Sequence, residues 1–245
     1  MKNVTDLLKS NIIDCHFHSF GRYGKLENTY DNIHIVDNPI HYKESLYKYF
    51  KKYKSLFKDK LFLVIGKDIE DTKKIINDFP HYFGIGEAKI YKYYRPRYNP
   101  ETIKEYSNYK LLQDLIDLKC NKPIFIHYDI NEDNYKWLEE VLASNPNQTI
   151  VLCHCGMNEF FDTDKAFELS RNLQQTFHNL YLDVSWVALD YFLENKHKLA
   201  NLDNTRLLLG SDNNGLNRDY DKKMIELSQF INNKFNLQIL KELSK

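Results

Sequence analysis

Two histidines, His16 and His18, stand two residues apart at the end of a short apolar run, Asn11 to Phe20, NIIDCHFHSF. In an extended strand alternate side chains share a face, so Asp14, His16 and His18 lie on one side, Cys15 and Phe17 on the other. Alternate residues are roughly 6.5–7 Å apart along a strand, close enough for both rings to converge on one ion. A His-x-His pair alone is equally an ordinary strand end. It gains weight because polar residues end apolar runs elsewhere: Glu87 and Lys89 in FGIGEAKI, His127 in PIFIH, His154 in TIVLCH and Asp212 in RLLLGSD. Their alternation agrees, with His127 following Phe125, His154 following Leu152 and Asp212 following Gly210. Imidazoles and carboxylates gathered in one place are donors for a divalent ion such as zinc. Such an ion acidifies water and polarises a carbonyl or phosphoryl oxygen.

The elements that must position these residues alternate along the chain. Apolar runs of strand length cover Ile33–Val36, Leu61–Ile65, Phe83–Ile90, Pro123–His127, Thr149–His154, Leu180–Trp186 and Arg206–Asp212, after the opening run. Helical spacing is expected over His41–Lys58, through Leu46, Tyr49, Phe50, Tyr53 and Phe57, and over Ile69–Phe79. Further helices are expected from Pro100 and Glu101 to near Lys119, over Tyr135–Ala143, and from about Asp219 to Ser244. Alternating strands and helices predict a parallel sheet with helices outside. The separations His127 to His154, His154 to Asp183 and Asp183 to Asp212 are 27, 29 and 29 residues, the spacing expected of a barrel of eight units. The expected fold is therefore α/β, a single-domain TIM-type (β/α)8 barrel, regular or distorted, over residues 1–245. In such a barrel the strand C-termini build the active site. An open doubly wound sheet is the structural alternative.

Composition bounds the partners. Lys plus Arg and Asp plus Glu both number 34, so no global field favours nucleic acid or an anionic membrane. No apolar run has transmembrane length, and the first residues lack the pattern of a signal peptide. Three of the four cysteines, Cys15, Cys153 and Cys155, sit in strand-like runs beside histidines, which points to reduced thiols and a cytoplasmic setting. Alternation turns all three towards the helix layer, away from the ligand face, where cysteine packs as a small hydrophobe.

Together DCHFH, GIGEAK, PIFIHYD, IVLCHCG, NLYLDVSW and LLLGSD resemble the amidohydrolase superfamily of metal-dependent hydrolases, especially its amidohydrolase-2 branch of small barrels. The likeness implies one or two divalent ions, zinc foremost with manganese, magnesium or iron as alternatives. It implies His16, His18 and Asp212 as ligands to the catalytic ion, and His127 on the same or a second ion. His154 would bind the second ion or contact the substrate oxygen. On the fourth strand Glu87 would bridge two metals, as in TatD-like nucleases, or Lys89 would be carboxylated; Glu87 is favoured because it ligates without modification. Asn213 departs from the branch, where proline commonly follows Ser-Asp.

The expected reaction is hydrolysis of a small-molecule amide, ester, lactone or phosphoester, with Asp212 as general base. His154 would stabilise the oxyanion, Lys89 would act as a catalytic residue or hold an anion, and Asp14 would orient a histidine. A non-oxidative decarboxylase and a TatD-like DNase are the alternatives, and a non-enzymatic metal-binding protein is the outsider. Arg22 after the first strand, and Arg95 and Arg97 in the loop expected over Tyr91–Tyr98, would grip an anionic substrate. Asp183, with Ser185, would contact substrate or serve as a structural hydrogen-bonding group. A homo-oligomer is compatible with all of this.

Overall fold

The computed structural model describes residues 16, 35–36, 51, 62–80, 82–96, 101–210, 212 and 219–231. The expectations for Asp14, Cys15, His18, Arg22, Arg97 and Asn213 lie outside them. So do those for the opening strand apart from His16, and for the helix over His41–Lys58 apart from residue 51.

Seven strands run parallel in one sheet: β1 (Ile35–Val36), β2 (Phe62–Val64), β3 (Gly84–Tyr94), β5 (Ile124–Tyr128), β6 (Ile150–Leu152), β7 (Leu180–Val184) and β8 (Leu207–Leu209). Their spatial order is their chain order. β4 (Lys104–Ser107) pairs antiparallel with β3. The helices are α1 (Ile69–Asp78), α2 (Tyr109–Ile116), α3 (Tyr135–Ser144), α4 (Thr163–Thr176), α5 (Trp186–Glu194) and α6 (Asp219–Leu227). The sheet curls as a distorted (β/α)8 barrel. Its last strand is followed by Asp212, whose amide donates to the His16 carbonyl at 2.6 Å, so the end of the first predicted strand adjoins the eighth. Gly210 permits that approach, since a Cβ there would sit 2.5 Å from the His16 Cβ. No helix among the described residues is long and apolar enough to cross a membrane.

Alternation along the strands divides the core in two. Ile124 and Ile126, Ile150 and Leu152, Leu180 and Leu182, and Leu207 and Leu209 point into the large sheet–helix core. Between them Phe125, Val151 and Leu208, with Leu63 and Phe83, form a small interior cluster against which Tyr181 packs. Strands buried on both faces explain the uninterrupted apolar runs in the sequence.

Two expectations are corrected. The stretch from Tyr91 is not a loop, because β3 continues to Tyr94 and its tyrosines pair with Lys104–Ser107. The helix expected from Pro100 begins only at Tyr109, since Lys104–Ser107 is spent on that ladder. Tyrosine-rich alternation suits a strand, and the hairpin gave it a partner.

At the other end of the barrel Arg206 ties α4 to β7 and β8. Its guanidinium donates to the carbonyls of Gln174 (2.7 Å), Phe177 (2.6 Å) and Leu180 (3.3 Å) and to Asp203 (2.7 Å). Arg206→Ala leaves helix-end carbonyls without those donors and is expected to cost about 1–3 kcal/mol. Urea unfolding at constant m-value measures this, and a loss below about 0.5 kcal/mol, the range of featureless surface changes, would contradict the tie.

Candidate active site

The interior face of the sheet leads to one mouth. Phe125 is followed at the next inward position by His127, Tyr181 by Asp183 and Ser185, and Leu208 by Gly210, while Asp212 lies beyond the end of β8 with left-handed backbone (φ 53°). Two departures from regular strand geometry complete the set. In β3, Ile85 pairs with Ile124 but Ala88 with Ile126, so one extra residue is inserted. This bulge turns Glu87 inward while Ile85 and Ala88 both remain in the outer core. Gly86, at φ +139°, occupies it, and a Cβ there would meet the Phe125 carbonyl oxygen at 2.5 Å.

The second departure follows β6. Leu152 lies in the outer core, so a continued strand would carry His154 outward with it. Instead Cys153–Gly156 form a tight turn with left-handed backbone at His154 (φ 57°), Cys155 (φ 52°) and Gly156 (φ 70°). The reason inferred from sequence for His154 facing the mouth was therefore incorrect. The turn redirects it. Cys153, expected among the helices, joins the interior cluster, while Cys155 goes to the outer core.

The resulting ring is dense. The His16 Nδ1 and the Asp183 Oδ2 are 2.5 Å apart, and the Ser185 hydroxyl donates to that same oxygen at 2.7 Å. Ser185 also meets the His154 Nδ1 at 2.9 Å. Glu87 reaches three imidazoles: the His127 Nδ1 at 2.6 Å, the His154 Nε2 at 3.5 Å and the His16 Nε2 at 3.8 Å. Asp212 lies 3.5 Å from the His16 Nε2 and 4.0 Å from the His154 Nε2. The His154 ring lies 5.0 Å from those of His16 and His127, and 5.2 Å from the indole of Trp186. Asp212 is 19% exposed in its side chain, whereas Glu87, His16 and His154 are almost wholly buried.

The electrostatics follow from packing charges where water is scarce. Burial would raise the Glu87 carboxyl, but hydrogen bonds from His127, His154 and His16 outweigh it and hold it well below the usual carboxylate range. Burial would lower His16, yet the Asp183 carboxylate leads the groups that raise it well above an ordinary imidazole. His127 is likewise opposed by burial and lifted to about 9 by Asp129 and Glu87. Burial drives the Cys153 thiol upward.

Asp129 was not singled out in the sequence, although it lies two residues beyond His127, on the same face of an extended strand. Its Oδ1 is 3.2 Å from the His127 Nε2, and its Oδ2 accepts from the Tyr93 amide (2.6 Å) and the Asn158 side chain (2.5 Å). Lys89 is half-buried, in register with His127. Lys92, also missed, is pushed down to about 8 by burial and then by Lys89, against Glu87 and Asp129. Asp183 is fully buried with its carboxylate committed to His16 and Ser185. Arg95 stands apart, its guanidinium 5.0 Å from the Phe160 ring. His18, Arg22 and Arg97 lie outside the described residues.

The donor chemistry fits a divalent cation. Ligating atoms of Glu87, His127 and His154 lie within 4.8 Å of one another, as do those of His16, His154 and Asp183, and those of His16, Glu87 and Cys153. Buried imidazoles sharing carboxylates are the donors preferred by zinc and other borderline ions.

No family model and no curated protein matches the sequence. Solved structures do match in shape. Dihydroorotase from Campylobacter jejuni is 16% identical with a TM-score of 0.53, over 96% of this chain and 82% of that one. A zinc-bound amidohydrolase from Burkholderia multivorans is 11% identical with a TM-score of 0.53, over 89% and 91%. An uncharacterized TIM-barrel protein from Bordetella bronchiseptica is 13% identical with a TM-score of 0.54, over 88% and 79%. This chain has their fold.

One consequence is measurable without a substrate. The folded value of about 9 for His127 lies above the ordinary 6.5, so the folded, ion-free protein holds a proton that the unfolded chain releases. The stability this supplies is complete below about pH 6.5 and lost as pH rises through about 9. Denaturant midpoints of chelator-treated protein are expected to fall across that interval, and to fall less in His127→Gln. A flat profile, or an equal fall in both, would contradict the pairing.

Proposed function

We propose that this chain is a metal-dependent hydrolase of the amidohydrolase superfamily, acting on a small molecule. The observation carrying the reading is the Glu87 carboxylate set among the imidazoles of His16, His127 and His154, with Asp212 beside them. Shared fold with a dihydroorotase and an amidohydrolase supports it. His16, Glu87, His127, His154 and Asp212 would hold one or two divalent ions, with His18 joining them by its spacing from His16. Zinc suits these donors best. When bound, the ion acidifies water and polarises the oxygen of the bond under attack.

The protein's own groups carry the protons. Asp212 is partly open to solvent and lies next to His16 and His154, so it takes the proton of the attacking water and returns it to the leaving group. Ser185 and Asp183 fix the imidazoles of His154 and His16, which leaves their Nε2 atoms towards the mouth. In a single-ion site that leaves the His154 Nε2 off the metal, that nitrogen stabilises the charge developing on the substrate oxygen. Trp186 stands edge-on to His154, its indole 5.2 Å from that imidazole. Lys89 and Arg95, with Arg22 and Arg97 as the sequence suggests, would engage an anionic portion of the substrate.

The test is a panel of lactones, cyclic amides, esters and phosphoesters, assayed before and after chelation and zinc return. Turnover is expected to vanish with the ion and come back with it. On a substrate so found, Asp212→Asn should lower kcat by about 10²–10⁴-fold with little change in KM. Unchanged turnover would remove Asp212 from the role of base.

A further inference from the structure

The cysteine that faces inward at the start of the turn after β6 has chemistry of its own. Cys153 is the last residue before the left-handed backbone at His154, and it keeps the inward parity of Val151. Below it lie Phe125, Val151 and Leu208. Beside it stand His16 and Glu87, and the three ligating atoms, one sulfur, one nitrogen and one oxygen, lie within 4.8 Å of one another. Cys153 is 1% exposed, so it occupies the floor of the mouth and not its rim. Cys155, two residues on, lies in the outer core with its sulfur 3.5 Å from the Asp183 carbonyl.

We propose that the Cys153 sulfur is a donor to the cation held at this mouth, making a mixed imidazole–carboxylate–thiolate site that selects thiophilic divalent ions, zinc or cobalt, over magnesium. The proposal rests on the cation reading of the preceding section and adds to it. An ion drawn down between His16 and Glu87 meets the sulfur from above, and a donor set of one imidazole, one carboxylate and one thiolate is compatible with tetrahedral zinc when water or a further side chain supplies the fourth place. The S–H bond breaks as the metal–sulfur bond forms, and the proton passes to bulk buffer. No oxidant or reductant takes part. Thiolate softness gives the preference, because magnesium and manganese favour oxygen donors whereas thiolates favour zinc-like ions. If Cys153 serves only to fill space beneath the ring, it behaves as any small apolar side chain, and the identity of the ion is indifferent to it.

Cobalt(II) titration of the chelator-treated full-length chain distinguishes the two. Visible d–d absorption stronger than that of aqueous cobalt(II) reports an ion held by four or five donors in the protein. A near-ultraviolet sulfur-to-cobalt charge-transfer band reports the thiolate. The wild-type chain is expected to show both signals. Cys153→Ser should keep the d–d absorption and lose the charge-transfer band, and its preference for zinc over magnesium in competition should fall. Cys155→Ala should keep both signals. If Cys153→Ser does not fold, Cys153→Ala suits the apolar neighbours and serves instead. A wild-type d–d spectrum without the charge-transfer band would overturn the proposal and leave the cation reading standing, as would a band that persists without Cys153. Absence of both signals in the wild-type chain would overturn the cation reading and this proposal together.

Discussion

A carboxylate with almost no access to water must be compensated by charge or by donors, and Glu87 is in that position. Everything at the mouth answers to it. Three imidazoles converge on its two oxygens, and each is supported in turn: His16 by Asp183, His154 by Ser185, His127 by Asp129. Removing one member of such a network leaves the others with buried polarity and no partner, so it behaves as a unit. The same arrangement suits a cation, since protons on His16 and His127 and a divalent ion are alternative ways of balancing the carboxylates.

The scaffold pays for this ring with irregularity at a few places. A regular β3 could not present Glu87 inward while Ile85 and Ala88 both stay in the outer core, and the bulge at Gly86 resolves the conflict. A regular β6 would send His154 outward after Leu152. The left-handed turn brings it back, with conformations that non-glycine residues seldom adopt. Trp186, at φ 46°, makes a third such bend where β7 passes into α5. These departures cluster around the polar ring, while the alternation beneath them is regular.

This division governs what could be read from the sequence. The parallel barrel was legible because strands buried on both faces leave unbroken apolar runs and because the repeat spacing is even. His127 was legible because alternation from Phe125 continues without interruption, and Asp212 because it closes the last apolar run. Glu87 and His154 were recognised as polar residues at strand ends, but their orientation depends on one inserted residue and one left-handed turn, which no period-two pattern encodes. Cys153 faces inward by continuing the alternation of Val151, the opposite of the parity expected from the sequence. Asp129 was passed over because its meaning comes from Asn158 and Tyr93, far apart in the chain. The hairpin of β3 and β4 was missed because antiparallel pairing supplied a partner to tyrosines that by themselves read as a loop.

The central claim is that residues distant in sequence close on one shared cation. Diffraction from crystals of the zinc-loaded chain, recorded on both sides of the zinc absorption edge, tests it directly. The account predicts an anomalous peak within about 2.0–2.3 Å of ligating atoms drawn from His16, Glu87, His127, His154 and Asp212. A zinc peak elsewhere on the molecule, with these imidazoles still bonded only to their carboxylates and Ser185, would contradict it.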